Sequence, residues 1–468
     1  MIAADSFKGK RLALFGLGGS GLVTARSLRA GGADITCFDD NPASVEKAAG
    51  EHLPTGDLHA FDFADAAALV LAPGVPLTHP RPHWTVTLAE AANVPVIGDV
   101  EIFARERRHK AADSAFIAIT GTNGKSTTTA LIAHLFRSAG RDVQLGGNIG
   151  TAVLSLDEPA GDKVYVVECS SYQIDLAPSL DPSVGILLNL SPDHLDRHGT
   201  MAHYAGIKRR LVARSGVAVI GTDDAHCRQI ADALEAEGRK VVRISAEGPV
   251  DEGIYWQDGR LFSAGQDHVE ILFDLAEAPT LRGRHNGQNA AAAWAAARAA
   301  GLADEDIRAG MRSFLGLVHR MEPVGHVGKT LFVNDSKGTN ADAAGKALAS
   351  YEHIFWIAGG LAKEGGIEPL RPLFGRIAKA YLVGEAAPQF SATLGGDVEY
   401  EISGTIAHAV ARAAADAQAS DIAAPVVLLS PACASFDQFA NFEVRGEAFR
   451  DAAKSLMGFT DYQGGERS

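Results

Sequence analysis

The stretch AFIAITGTNGKSTTTALIAHLFRSAG, residues 115–140, decides the fold. Ala115–Thr120 is an apolar, β-branched run and reads as a buried strand. Gly121-Thr122-Asn123-Gly124 reads as a tight turn, and Lys125-Ser126-Thr127 opens a helix. Strand, Gly-rich turn and helix N-terminus in that order make a phosphate-binding loop, because free backbone N–H groups and the helix dipole both favour an anion. A Walker A loop needs a glycine at position 119; Ile119 stands there, so the loop is a shortened one. Lys125 can reach β/γ-phosphate oxygens, and the Ser126 hydroxyl can ligate Mg²⁺. The alternative is an ordinary helix N-terminus with a solvated lysine. The ordered run of strand, glycine, lysine and hydroxyl weighs against it.

Around this stretch the chain alternates strands and helices. On the N-terminal side, RLALFG, ADITCFDD and AALVLAPG read as strands, GLVTARSLRAGG as a helix, and PVIGDVEIFAR closes the block. On the C-terminal side, KVYVVE, VGILLNLSPDH and VAVIGTDD repeat the pattern of a strand ending in a polar loop. EGIYWQDGRLF predicts a hairpin turning at Asp258-Gly259. HNGQNAAAAWAAARAAGL predicts a helix with Asn286 and Asn289 near its start. A third block, with TLFVNDSKGTN, HIFWIAGG, KAYLVG and VVLLSPACAS, repeats the habit again. The prediction is an α/β protein of mostly parallel sheets. It has a Rossmann-like N-terminal domain over 1–104, a central P-loop-type domain over 105–317 and a Rossmann-like C-terminal domain over 318–468. A length of 468 residues agrees with three domains at ~150 residues each. In open α/β sheets ligands bind at the carboxyl ends of strands, so these loops are where function is expected.

Composition narrows the class. Hydrophobic residues make up 46% and charged residues 21%, which excludes a disordered or fibrous chain. The net charge of −14 lacks the basic footprint of a nucleic-acid binder. An anionic substrate would have to be met by local cations and backbone N–H groups. Cys37, Cys169, Cys227 and Cys433 show no C-x-x-C spacing, which points to a reducing compartment. The apolar run Leu12–Phe15 is too short for a signal-peptide core, and no run reaches a membrane span. A cytoplasmic protein without membrane insertion is expected.

Other candidate sites have competing readings. Gly16-x-Gly18-x-x-Gly21, with Asp39 eighteen residues further on, suits a dinucleotide, another diphosphate ligand or a purely structural turn. Glu168, at the end of its strand, fits a Mg²⁺ ligand. His194, with Asp193 at the strand end VGILLNLSPD, is a softer ligand or a capping residue. Lys208-Arg209-Arg210 reads by itself as a solvated basic face. Arg320 and Lys337 could neutralise phosphate and Asp335 could take ribose hydroxyls, or all three could be ordinary loop residues.

GTNGKST, the Glu168 strand, SPDHLDRH, HNGQN, HRMEPV and NDSKGTN follow one another in order. Together they resemble the Mur ligases and their relative folylpolyglutamate synthetase, and the resemblance covers nearly the whole chain. GLGGSG, LAPGVP and GDVEIF resemble the UDP-binding domain of the D-glutamate-adding branch, and LLSPACASFDQFANFEVRG its C-terminal signature. The resemblance implies an ADP-forming amide ligase of peptidoglycan precursor synthesis. ATP activates the carboxylate of UDP-N-acetylmuramoyl-L-alanine as an acyl phosphate, which the amine of D-glutamate attacks. It implies small-molecule substrates only, a monomer, and two Mg²⁺ ions.

It also implies roles residue by residue. Gly18, Gly19, Ser20 and Gly21 would hold the UDP diphosphate, Asp39, Asp40 and Asn41 would lie near the uridine, and Gly74 and Asn148 along the sugar and lactyl-alanyl part. Gly121, Thr122, Asn123, Gly124, Lys125, Ser126 and Thr127 would hold ATP phosphates. Asn286, Asn289, Arg320 and Asp335 would bind the nucleotide. Ser126 and Glu168 would share one Mg²⁺, and His194 the second with a carbamylated lysine. Lys208 matches that lysine through Tyr204, four residues earlier. With Lys125 these make the catalytic set. Lys337, Thr339, Lys363, Ser435 and Phe442 would serve D-glutamate. Ala72 stands where relatives present a small hydroxyl, and Asp40-Asn41 replaces a Thr-Arg pair; both departures bear on the uridine contacts. Another amino-acid ligase of the same superfamily, a nicotinamide-dependent dehydrogenase and a nucleotide-binding scaffold without chemistry are the competing classes.

Overall fold

In the computed structural model, which describes residues 1–265, 268–281, 283–363 and 365–462, the chain forms three sheets among the described residues. They fall into two compact units, residues 1–274 with 286–311 and residues 275–285 with 312–468. No helix among the described residues is long and apolar enough to cross a membrane.

The first unit carries two sheets. The smaller has the order Asp34–Phe38, Arg11–Phe15, Ala68–Leu71, Val96–Ile97, all parallel. The larger runs His268–Asp274, Arg260–Gly265, Gly253–Gln257, Val241–Ser245, Val217–Gly221, Val184–Leu187, Ala115–Thr120, Lys163–Glu168, Asp142–Gly147. Its central strands are buried on both faces, as parallel strands covered by helices must be. The expected hairpin at Asp258-Gly259 is present, with φ of 47° and 83° at the two turn residues, and a third antiparallel strand extends it to the sheet edge. The helix Asp99–Lys110 leads from the smaller sheet into the larger, and Phe103 packs edge-on against Phe116 at 5.1 Å. One apolar core runs through both sheets.

The second unit is a seven-stranded sheet with the order Tyr400–Gly404, Ile377–Val383, Ile354–Gly359, Val426–Leu429, Thr330–Asn334, Glu322–Val327, Phe459–Asp461. The five strands from Tyr400–Gly404 to Thr330–Asn334 are parallel. The last two add antiparallel pairs. The sequence reading missed this edge. Its strands carry a glycine, a proline and few apolar residues, and only partners distant in sequence make them strands.

Candidate active site

Strand register builds the first part of the site. Glu168 lies beside Ile119, one residue before the strand Ala115–Thr120 gives way to the Gly-rich turn. Gly124 caps the helix Lys125–Ser138 with φ of 84°, a conformation that favours glycine, and a Cβ there would meet the Asn289 Oδ1 at 2.3 Å. Asn289 therefore packs directly on the loop. Its carboxamide accepts from the Thr128 hydroxyl at 3.2 Å and donates to Asn286 at 3.0 Å. The structure thus brings Asn289, with Asn286 bonded to it, to the Gly-rich turn. Thr122 and Asn123 are braced by the backbone and side chain of Asn189 at 2.9 Å each. Asn189 escaped the sequence reading; its only signal was a carboxamide straight after an apolar strand.

Lys125 curls back over its own loop, with Nζ donating to the carbonyls of Gly121 at 3.0 Å and Thr122 at 2.9 Å. Ser126 and Thr127 follow on the first turn. Glu168 is 2% exposed. Its Oε1 accepts from the Asn148 side chain at 2.8 Å, and its Oε2 is buried without a hydrogen-bond partner. A buried, unpartnered carboxylate oxygen costs free energy unless something cationic meets it. That orphan beside the Gly-rich turn fits a hard cation such as Mg²⁺. Among the described residues no three His, Cys, Asp or Glu side chains converge into a ready cage.

Lys208 departs from what its own stretch suggests. The helix Met201–Ala213 turns Tyr204, Ile207, Lys208 and Leu211 inward, so Lys208 is 1% exposed rather than part of a solvated face. Arg209 and Arg210 do point outward, pairing with Glu237 and Asp175. The Lys208 amine donates to the Thr120 hydroxyl at 3.0 Å and to the Gly121 carbonyl at 2.8 Å, beneath the Gly-rich turn. Burial, helped by the charge of Lys125, pulls it down to about 7. Tyr204 stacks on that amine at 4.9 Å and bonds the Thr122 hydroxyl at 3.2 Å. His194 lies in a loop well past its strand, half exposed, with φ of 52° and its ring 5.0 Å from Tyr172.

In the smaller sheet, Gly18 caps the helix Gly19–Ala30, which contains Ser20 and Gly21. A Cβ on Gly21 would meet the Gly16 carbonyl at 1.8 Å, so the turn closes only on a glycine. Asp39 ties this turn to the next strand, its two oxygens accepting from Leu17 N at 2.6 Å and Asn41 N at 2.8 Å. The carbonyl of Gly74 accepts from Arg197 at 2.9 Å.

In the second unit the loops after Thr330–Asn334, Ile354–Gly359 and Val426–Leu429 meet at one edge. Leu361 pairs with Ala434, and Ala432 N donates to Gly338 O at 2.9 Å. Asp335 is buried and pushed up to about 7 by desolvation, while Ser430 at 2.7 Å and the Met321 N–H at 3.2 Å bond it. That last bond fixes the turn carrying Arg320 against Asp335. Lys337 lies over the Phe442 ring at 5.4 Å, so two residues expected to serve the amino acid come together. Thr339 follows Lys337 in the same loop, Ser435 is buried and Lys363 is exposed. Arg445, 1% exposed, clamps the assembly. Its guanidinium donates to Ser336 Oγ and O and to the carbonyls of Cys433 and Ala434, at 2.8–3.2 Å. The sequence reading passed over it because nothing local marks a buried arginine.

Residues 119–297 match the Mur ligase middle domain. The architecture is similar to the UDP-N-acetylmuramate-alanine ligase of Thermotoga maritima. The TM-score is 0.57 at 15% identity, over 95% of this chain and 99% of that one. It is also similar to the UDP-N-acetylmuramoylalanyl-D-glutamyl-2,6-diaminopimelate--D-alanyl-D-alanyl ligase of Acinetobacter baumannii. There the TM-score is 0.54 at 18% identity, over 78% and 86%. The solved structures show a shared fold, and the matched model is that of the middle domain within it. The chain is 63% identical over 460 residues to the UDP-N-acetylmuramoylalanine--D-glutamate ligase of Agrobacterium fabrum (strain C58), covering 98% of each. It is 60% identical over 466 residues to that of Brucella abortus (strain 2308), covering 99% of this chain and 100% of the relative. The chain belongs to the UDP-N-acetylmuramoylalanine--D-glutamate ligase family of enzymes.

Proposed function

We propose that the protein joins D-glutamate to UDP-N-acetylmuramoyl-L-alanine at the expense of ATP, forming ADP and phosphate, in cytoplasmic peptidoglycan precursor synthesis. The observation that carries the ATP-dependent chemistry is the phosphate loop with Lys125 above, buried Lys208 beneath and the orphaned Glu168 oxygen beside it. Family membership supports the choice of substrates.

A free carboxylate is a poor acylating agent. In the proposed reaction its oxygen attacks the γ-phosphorus and the bond to ADP breaks. The D-glutamate nitrogen then attacks the acyl carbon and loses a proton, and phosphate leaves. The protein positions the reactants and neutralises charge. Lys125 and the loop N–H groups hold the β/γ-phosphates with Ser126 and Thr127, while Asn286, Asn289, Arg320 and Asp335 hold the rest of the nucleotide. Gly18–Gly21 cradle the UDP diphosphate, and Gly74 and Asn148 lie along the acceptor. Lys337, Thr339, Lys363, Ser435 and Phe442 hold D-glutamate. Ser126 and Glu168 would hold one Mg²⁺, and His194 with Lys208 as a carbamate a second. Bound there, Mg²⁺ supplies charge neutralisation to the phosphoryl oxygens. Three domains, 1–104, 105–317 and 318–468, divide these tasks in a monomer.

Ligand-induced melting tests the reading, since a ligand that binds only the folded chain stabilises it by about 2.7 kcal/mol at a hundredfold excess over Kd. UDP and ATP each raise the melting temperature and NAD leaves it unchanged. A shift with NAD and none with ATP would overturn the proposal.

A further inference from the structure

The motif HNGQN supplies Asn286 and Asn289 to the proposed nucleotide site, and the glutamine inside it, Gln288, bridges two loops of the larger sheet. Gln288 is 7% exposed. Its Nε2 donates to Asp223 Oδ2 at 2.7 Å, and its Oε1 accepts from Asn189 Nδ2 at 2.8 Å. Asn189 in turn holds the Gly-rich turn. Its Oδ1 accepts the Asn123 N–H at 2.9 Å, and its Nδ2 donates to the Asn123 carbonyl at 3.3 Å. At the far end the Asp223 carboxylate accepts from the Ser245 hydroxyl at 2.7 Å and from the Ala246 N–H at 3.0–3.1 Å.

These groups stand at the carboxyl ends of four neighbouring parallel strands. In sheet order, Val241–Ser245, Val217–Gly221, Val184–Leu187 and Ala115–Thr120 lead to Ser245, Asp223, Asn189 and Asn123. Gln288, from the helix Arg284–Ala299, joins the second strand end to the third. A Cβ on Gly221 would meet the Leu188 carbonyl at 1.9 Å and Gln288 Nε2 at 3.2 Å, so a glycine there leaves the amide its room.

The row has one polarity. A carboxylate accepts hydrogen bonds and cannot donate them. Gln288 must therefore turn its NH₂ to Asp223 and its oxygen to Asn189. Asn189 must then turn its NH₂ to Gln288 and its oxygen to the Asn123 N–H. Reversing either amide would set two N–H groups face to face. Amide direction is assigned from such a network, and here one charge decides it. We propose that Asp223 and Gln288 are positioning residues for the nucleotide. Their polarity, relayed through Asn189, holds the turn 121–124 in the shape that meets the phosphates, so that binding needs little reorganisation. This deepens the ATP reading of that turn and rests on it.

The test exchanges donor and acceptor while keeping every side chain's shape. ATP and UDP are titrated against the full chain at about pH 8.5, where neighbouring carboxylates do not share a proton. Q288E sets a carboxylate against Asp223, and D223N sets an NH₂ against that of Gln288. Each loses about tenfold in ATP affinity, the scale of one hydrogen bond to a charged group. Combining Q288E with D223N again sets a donor against an acceptor, reversed across the link. The asparagine keeps an oxygen for Ser245 and Ala246, and the glutamate keeps one for Asn189. The double variant binds ATP within about twofold of wild type, a rescue that lost packing would not give. UDP affinity is unchanged throughout, and a melting curve for each variant reports its fold. ATP affinity within about twofold of wild type in both single variants overturns the inference. So does an equal loss for ATP and UDP, or a double variant no better than the weaker single one. Failure of the wild type itself to bind ATP overturns the underlying ATP reading instead.

Discussion

Lys125→Ala lowers ATP turnover by about 10³-fold, the scale expected when a charged group aimed at the transferring phosphoryl is removed. The ammonium already sits within its own loop, held by two neutral carbonyls at 2.9–3.0 Å. Phosphate oxygens are stronger acceptors, because a hydrogen bond between two ionised groups is roughly twice as strong as a neutral one. Alanine is a good helix former at this first helical position, so the fold should survive. Phosphate release measured beside a melting curve separates the two effects. Retained turnover in a folded variant would remove the phosphate-loop reading.

Lys208→Ala comes next in size, with an expected loss of about 10²–10³-fold in activity. Carbamylation needs a neutral amine. In the proposed carbamylation the nitrogen would attack CO₂, forming a C–N bond and releasing a proton to solvent. An ordinary lysine at 10.5 is almost wholly protonated near neutrality, whereas Lys208, pulled down to about 7 by burial, is substantially neutral above that pH. Short carboxylates such as formate should partly restore the variant, because they supply two oxygens to the space the side chain leaves. Arg209 and Arg210 cannot substitute, since they face outward into ion pairs. Wild-type activity in the variant would refute the assignment.

Legibility in the sequence followed the range of the physics. The loop 121–127 was readable because strand, turn, cation and hydroxyl are neighbours in the chain. The hairpin at Asp258-Gly259 was readable because two residues of left-handed backbone specify it locally. The parallel strands were readable as apolar runs. Their register was not, and register alone puts Glu168 beside the loop. Lys208 shows the limit most clearly: its neighbours in sequence are two solvated arginines, and its burial comes from the helix face packed on the sheet. The edge strands Glu322–Val327 and Phe459–Asp461 pair across most of the third block, which no local pattern records. Arg445 also acts through partners far away in the chain.

The central claim is the reaction itself, and phosphate release from ATP tests it most directly, measured with UDP-N-acetylmuramoyl-L-alanine and a panel of amino acids. The account predicts release that requires both the UDP substrate and D-glutamate. Release with a different amino acid, or none under any combination, would contradict it.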